Sequence, residues 1–104
     1  MLKVKDIITG LTDTQMEYEL RMSCMTADYT KSNPKSSNNG CVYMENNDKL
    51  YYQIDWNGNV ICYVDDLLDF GLGSEVASYD MDDCCEIEFT EVYVSDDLQM
   101  VILI

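Results

Sequence analysis

The chain of 104 residues contains no histidine, a single proline and only six lysines or arginines. Without histidine there is no Ser-His-Asp triad, no Cys-His pair, and no His-containing zinc or haem site. Six scattered bases do not build the positive surface that displaces counterions, which argues against direct binding to nucleic acid. No long apolar run occurs: Met100-Val-Ile-Leu-Ile104 is far too short to cross a bilayer. Five cysteines (Cys24, Cys41, Cys62, Cys84 and Cys85) are an odd number without a CxxC pair, so neither a disulfide framework nor a four-thiolate zinc site is signalled. The N-terminus, MLKVKDIITGLTDTQ, lacks the apolar core and cleavage site of a signal peptide, and a soluble cytoplasmic protein with reduced, mostly buried thiols is expected.

What is present is acid. Asp and Glu number 20, giving a formal charge of −14, yet 47% of residues are hydrophobic and 11% aromatic, enough for one folded domain spanning 1–104. The charge is unevenly placed. Residues 1–49 hold all six bases against seven acids, a net of −1, while residues 50–104 hold thirteen acids and no base, a net of −13. Self-repulsion on that scale weakens a compact state unless salt or a basic partner relieves it.

The pattern of apolar residues predicts an α+β fold. Val4, Ile7, Ile8 and Leu11 fall at helical spacing, stopped by Gly10 and Thr12-Asp13. From Met16 to Cys24 the period becomes two, a strand with one wet face. Residues 27–40, with the only proline, three Asn and three Ser, read as a mobile polar loop. Cys41–Met44 and Leu50–Ile54 form strands around an Asn46-Asn47-Asp48 turn, and Asn57-Gly58 predicts a type I′ hairpin joining YYQIDW to NVICYV. Residues 65–70 carry acids and apolar positions suited to a short helix ended by Gly71 and Gly73, and Glu75–Tyr79 reads as extended. Cys85–Val94 alternates with a phase break at Glu91 that a β-bulge would absorb. After a Ser95-Asp96-Asp97 turn, Leu98–Ile104 closes the fold as a strand buried on both faces. The expectation is an antiparallel sheet of about five or six strands, an N-terminal helix and a short helix near 65–70, with the Leu98–Ile104 edge able to pair with a second copy.

No arrangement carries recognisable chemistry. The many carboxylate pairs lack the scaffold of a glycosidase. Asp80-Met-Asp82-Asp83 has part of a calcium loop but neither the glycine nor the closing glutamate of an EF-hand. Cys84-Cys85 is flanked by Asp82, Asp83 and Glu86, whose charge suppresses thiolate formation. No cofactor, metal or catalytic residue is expected. Eight tyrosines are more informative. In a strand, one ring of Tyr51-Tyr52 must face away from the core, and an exposed Tyr beside carboxylates suits Arg and Lys. The candidate partner-binding residues are therefore Asp65, Asp66, Asp69, Glu75, Asp80, Asp82, Asp83, Glu86, Glu88, Glu91, Asp96 and Asp97, with Tyr79 and Tyr93.

The segments Val4-Lys5-Asp6-Ile7-Ile8, Asp65-Asp66-Leu67-Leu68-Asp69 to Glu75-Val76, and Glu91-Val-Tyr-Val-Ser-Asp-Asp-Leu98 together resemble small acidic proteins of phages and mobile elements of Firmicutes. The overall character resembles the nucleic-acid-mimicking inhibitors among them, of the anti-CRISPR and anti-restriction type. The resemblance implies a non-enzymatic inhibitor whose acidic, Tyr-bearing surface occupies the basic nucleic-acid groove of a host defence nuclease. An immunity or antitoxin module against a basic toxin, or a small-molecule-binding accessory phage protein, are the alternatives.

Overall fold

Val4 and Ile7, one helical turn apart, are both buried and form the inner face of α1 (Val4–Ile8). Asp6 caps its start, accepting from the Lys3 amide at 2.9 Å, and Gly10 turns the chain at φ +85°. The computed structural model describes residues 2–23, 32–45, 49–80 and 84–104. α1 ends at Ile8 with Thr9 as its C-cap, and Thr12 starts the next element. The Thr12 hydroxyl accepts from the Gln15 amide at 3.1 Å, while the Gln15 side chain accepts from the Thr12 amide at 3.0 Å. This reciprocal cap nucleates α2 (Asp13–Met16), so the strand expected from Met16 begins only at Glu19.

Among the described residues eight strands follow: β1 (Glu19–Met22), β2 (Gly40–Met44), β3 (Lys49–Ile54), β4 (Cys62–Tyr63), β5 (Glu75–Asp80), β6 (Cys85–Glu88), β7 (Val92–Ser95) and β8 (Met100–Leu103), with a 3-10 helix at Val64–Asp69. They make two four-stranded sheets, the first ordered β4-β1-β8-β7 and the second β2-β3-β5-β6. The fold is α+β as the pattern predicts, with more strands than expected. Each sheet also contains one parallel pair, β1 with β8 and β3 with β5. Between the sheets lie Leu20, Met22, Cys62, Val101 and Leu103 from the first and Leu50, Tyr52 and Val76 from the second, joined by Val4, Ile7, Val64 and Leu67 from the helices. Each fully buried aliphatic side chain contributes about 1.5–3 kcal/mol.

The chain departs from the sequence-based expectation where it changes sheets. The Asn57-Gly58 hairpin does not form: β3 pairs with β2 and β5, and β4 pairs with β1. Asp55 intercepts the turn, its carboxylate accepting from the amides of Asn57, Asn59 and Val60 at 3.1, 2.7 and 2.7 Å. Of the two turn residues only Gly58 takes positive φ, at +72°, whereas a type I′ turn needs it at both. Cys85–Val94 is likewise two strands. β6 lies in the second sheet and β7 in the first, and the phase break is a crossing at Phe89–Glu91 in place of a bulge. Leu98 and Gln99 belong to the β7–β8 turn, and β8 sits between β1 and β7, so it offers no edge to a second copy.

The polar segment is anchored over its second half. Pro34–Ser36 forms a 3-10 turn, and the Arg21 guanidinium donates to the hydroxyl and carbonyl oxygens of buried Ser37 and to the Asn39 side chain. Asn38 and Met22 exchange backbone hydrogen bonds, and Gly40 then enters β2. Residues 27–31 of the expected mobile loop lie outside the described residues.

Candidate functional site

The topology sorts the candidate residues into two groups. Because β8 is parallel to β1 while β4 and β7 are antiparallel to their neighbours, three segments arrive at the same end of the first sheet. These are α2 before β1, the 3-10 helix after β4, and the turn 96–99 between β7 and β8. They bring together Asp65, Asp66, Asp69, Asp96 and Asp97, with Asp13 and Glu17 of the α2 region, and all seven are exposed. None of Lys3, Lys5, Arg21, Lys35 or Lys49 lies on these segments.

Two of the seven also fix the geometry. Asp66 accepts from the Tyr63 amide at 2.7 Å and starts the 3-10 helix. Asp96 accepts from Gln15 Nε2 at 3.2 Å and from the Tyr18 hydroxyl at 2.8 Å, tying the β7–β8 turn to α2. These donors hold the Asp96 carboxyl below its ordinary range, Gln15 most strongly, and the same contact raises the Tyr18 hydroxyl above its usual value. Sequence reasoning missed Asp13 and Glu17 because they belong to the nearly neutral half. The T-x-x-Q cap at Thr12–Gln15 is the signal that places them.

The second group lies on the outer face of the second sheet. The register puts Tyr79 beside Glu86 and Ala77 beside Glu88 across β5–β6, with Glu75 beside Lys49 and Ala77 beside Tyr51 across β3–β5. Tyr51 and Tyr52 divide as expected: Tyr52 is buried and Tyr51 faces outward. The Tyr51 hydroxyl donates to Glu86 Oε1 at 2.8 Å, and Lys49 Nζ stands 2.6 Å from the same oxygen. Tyr51 spans β5 at Ala77, a small side chain that is fully buried there. Lys49 and then Tyr51 hold the Glu86 carboxyl below its ordinary value, and Glu86 in turn raises both partners.

The remaining candidates stand apart. Glu91 is at the opposite end of the first sheet, where its backbone pairs with Ile104, and Tyr93 pairs with Ile102 on that sheet's outer face. Asp80 closes β5 opposite Cys85, while Asp82 and Asp83, and with them most of the calcium-like Asp80–Asp83 stretch, lie outside the described residues. Cys62 is buried, whereas Cys84 and Cys85 are exposed and not in the core as expected. Among the described residues, no group of three or more Cys, Asp or Glu side chains is placed to hold a metal ion. None of the described helices is long and apolar enough to cross a membrane. Sequence reasoning also missed an apolar loop: Asp55 fixes residues 55–61 so that Trp56, 73% exposed, stands out with Val60 and Ile61. Reading that segment as a hairpin concealed it.

Comparison with known proteins finds no matching family model, no matching curated protein and no matching solved structure.

Proposed function

We propose that this protein is a non-enzymatic, cytoplasmic inhibitor whose acidic end occupies the basic nucleic-acid groove of a host defence nuclease, in the manner of the anti-CRISPR proteins of phages. The observation that carries the reading is the meeting of seven exposed carboxylates on three segments that hold no lysine or arginine. Four strands at about 4.8 Å spacing make that end roughly 15 Å wide. Seven charges across it give about one per 2 Å, close to the one per ~1.7 Å of a duplex axis. Asp96 and Asp66 fix the segments, so the array is organised before a partner arrives.

The test is competition for duplex DNA. Purified CRISPR effector–guide complexes are titrated with the protein across a salt series, and bound DNA is read by mobility shift. Exposed charges are screened within about 10 Å at 0.1 M salt and about 3 Å at 1 M. Displacement is therefore expected at low salt, fading as salt rises, and weakened at least tenfold when Asp13, Asp65, Asp69 and Asp97 become Asn and Glu17 becomes Gln. These five leave the anchoring Asp66 and Asp96 in place. Displacement that ignores salt, or that survives the five substitutions, overturns the reading.

A further inference from the structure

The outer face of the second sheet carries a row of three aromatic rings. Tyr43 and Tyr51 have centroids 6.1 Å apart, and Tyr51 and Tyr79 are 6.3 Å apart and edge-on. The outer rings are open, Tyr43 at 37% and Tyr79 at 42% exposure, while the central one is occupied. Lys49 Nζ lies 6.0 Å from the Tyr51 centroid and 2.6 Å from Glu86. The protein thus holds its own example of an alkylammonium seated between a tyrosine face and a carboxylate. The ring face attracts the cation through its quadrupole and the carboxylate pairs with it.

We propose that this face is a docking surface for arginine side chains of a basic protein segment, which use Tyr43 and Tyr79 as Lys49 uses Tyr51. The inference rests on the partner being basic, and it names a second contact surface separate from the acidic end. Charge decides the occupant. The register places Glu45, Glu75, Glu86 and Glu88 on this face against Lys3 and Lys49. An anionic ligand is repelled, and a second copy brings another −14. An apolar surface would strip water from exposed Glu88 without replacing its hydrogen bonds. Arginine fits better than lysine, because its planar guanidinium stacks on a ring while its fork meets a carboxylate.

The probe is a capped tetra-arginine peptide, with capped tetra-lysine as comparison, followed by the NMR signals of the tyrosine rings at low salt. Tyr43 and Tyr79 are expected to shift, and tetra-lysine to bind more weakly. An exposed cation–ring contact is worth about a two- to fivefold factor in affinity. Replacing both rings (Tyr43→Leu with Tyr79→Leu) should thus weaken tetra-arginine roughly 4- to 25-fold. Lys49→Met, which vacates the occupied position, should tighten binding more than Lys35→Met, which makes the same charge change off this face. Unmoved rings, unchanged affinity in the double variant, or equal effects of Lys49→Met and Lys35→Met overturn the proposal. Shifts confined to α2, the 3-10 helix and the 96–99 turn do so while leaving the acidic-end reading standing. Shifted rings with no DNA displacement reject that reading alone.

Discussion

One hydroxyl joins the two sheets, and its removal gives a graded test of the packing. Tyr52 points inward from β3, 1% exposed, and its hydroxyl reaches the Leu20 carbonyl of β1 at 2.7 Å and the Asn38 carbonyl at 3.2 Å. Tyr52→Phe keeps the ring and opens no cavity. Neither carbonyl is orphaned, since Leu20 keeps the Cys62 thiol at 3.7 Å and Asn38 keeps the Met22 amide at 3.2 Å. The cost is then the net worth of a hydrogen bond, about 1 kcal/mol, and not the larger penalty of a buried unpaired acceptor. Thermal unfolding should shift down by roughly 4–8 °C, with an unchanged urea m-value. Alkali supplies a second readout. Burial raises the Tyr52 hydroxyl far above its ordinary 10.0, so the folded protein keeps a proton that the unfolded chain releases. Stability from this group is complete below 10.0 and is lost as pH rises beyond it. At about 1.4 kcal/mol per pH unit, the gap between wild type and Tyr52→Phe closes near pH 11 and then reverses. Every other residue is common to the two proteins, so its contribution cancels in the difference. A loss above about 3 kcal/mol would mean that the carbonyls are orphaned. A gap constant between pH 8 and pH 11 would refute the buried hydroxyl itself.

Three further outcomes are expected. In Gly40→Ala the new Cβ lies 2.0 Å from the Gln53 carbonyl oxygen and 2.7 Å from a Tyr52 ring carbon. Because the nearer obstacle is backbone, the cost is about 3 kcal/mol, a fall of at least ~12 °C in Tm by circular dichroism, and a fall under ~4 °C contradicts the close approach. Burial pushes the Cys62 thiol up to about 12, so an alkylating reagent at pH 8, read by peptide mass mapping, should modify exposed Cys85 well before Cys62. Equal rates would place Cys62 outside the core. Asp96→Ala should lower Tm at neutral pH; because the folded carboxyl lies below 3.8, its contribution is present above that value and lost as pH falls through the lower one. The Tm gap to wild type should shrink in acid, and a gap that persists at pH 2 rules out the charged contacts to Gln15 and Tyr18.

Local features were legible in the sequence, and the choice of strand partners was not. Val4 and Ile7 at helical spacing, the Cys41–Ile54 hairpin, the short helix near 65–70 and the Tyr51-Tyr52 division each follow from residues close in the chain. Asn57-Gly58 favours a turn but does not say which strands flank it. Asp55, two residues upstream of Asn57, took the amides that a hairpin ladder would have used. The parallel pairing of Glu19–Met22 with Met100–Leu103 joins opposite ends of the chain, and no periodicity reports it. Glu88 faces solvent on the second sheet and Phe89 turns into the core, so the slip in alternation at Glu91 records a change of sheet. The candidate surface was half legible for the same reason. Its late acids stand out as a run without bases, whereas Asp13 and Glu17 join them through folded contacts, Asp96 with Gln15 and Tyr18 and the Val64 amide with the Tyr18 carbonyl.

The late acids have to be reconciled with folding in a half-chain that lacks any lysine or arginine. Neutral donors take the place of cations: backbone amides for Asp55 and Asp66, an amide and a phenol for Asp96, and a phenol beside Lys49 for Glu86. Hydrogen bonds of this kind stabilise the ionised form without cancelling its charge. The anchoring carboxylates therefore still add to the field of Asp65, Asp69 and Asp97. If solubility were the sole use of this charge, spreading it evenly would serve equally well and cost less in repulsion. Seven carboxylates at one end of a sheet are a standing cost to the free protein, which the proposed basic groove would offset on binding. In the proposed complex salt would act in opposite directions on the two states, screening repulsion within the free domain and attraction to the partner.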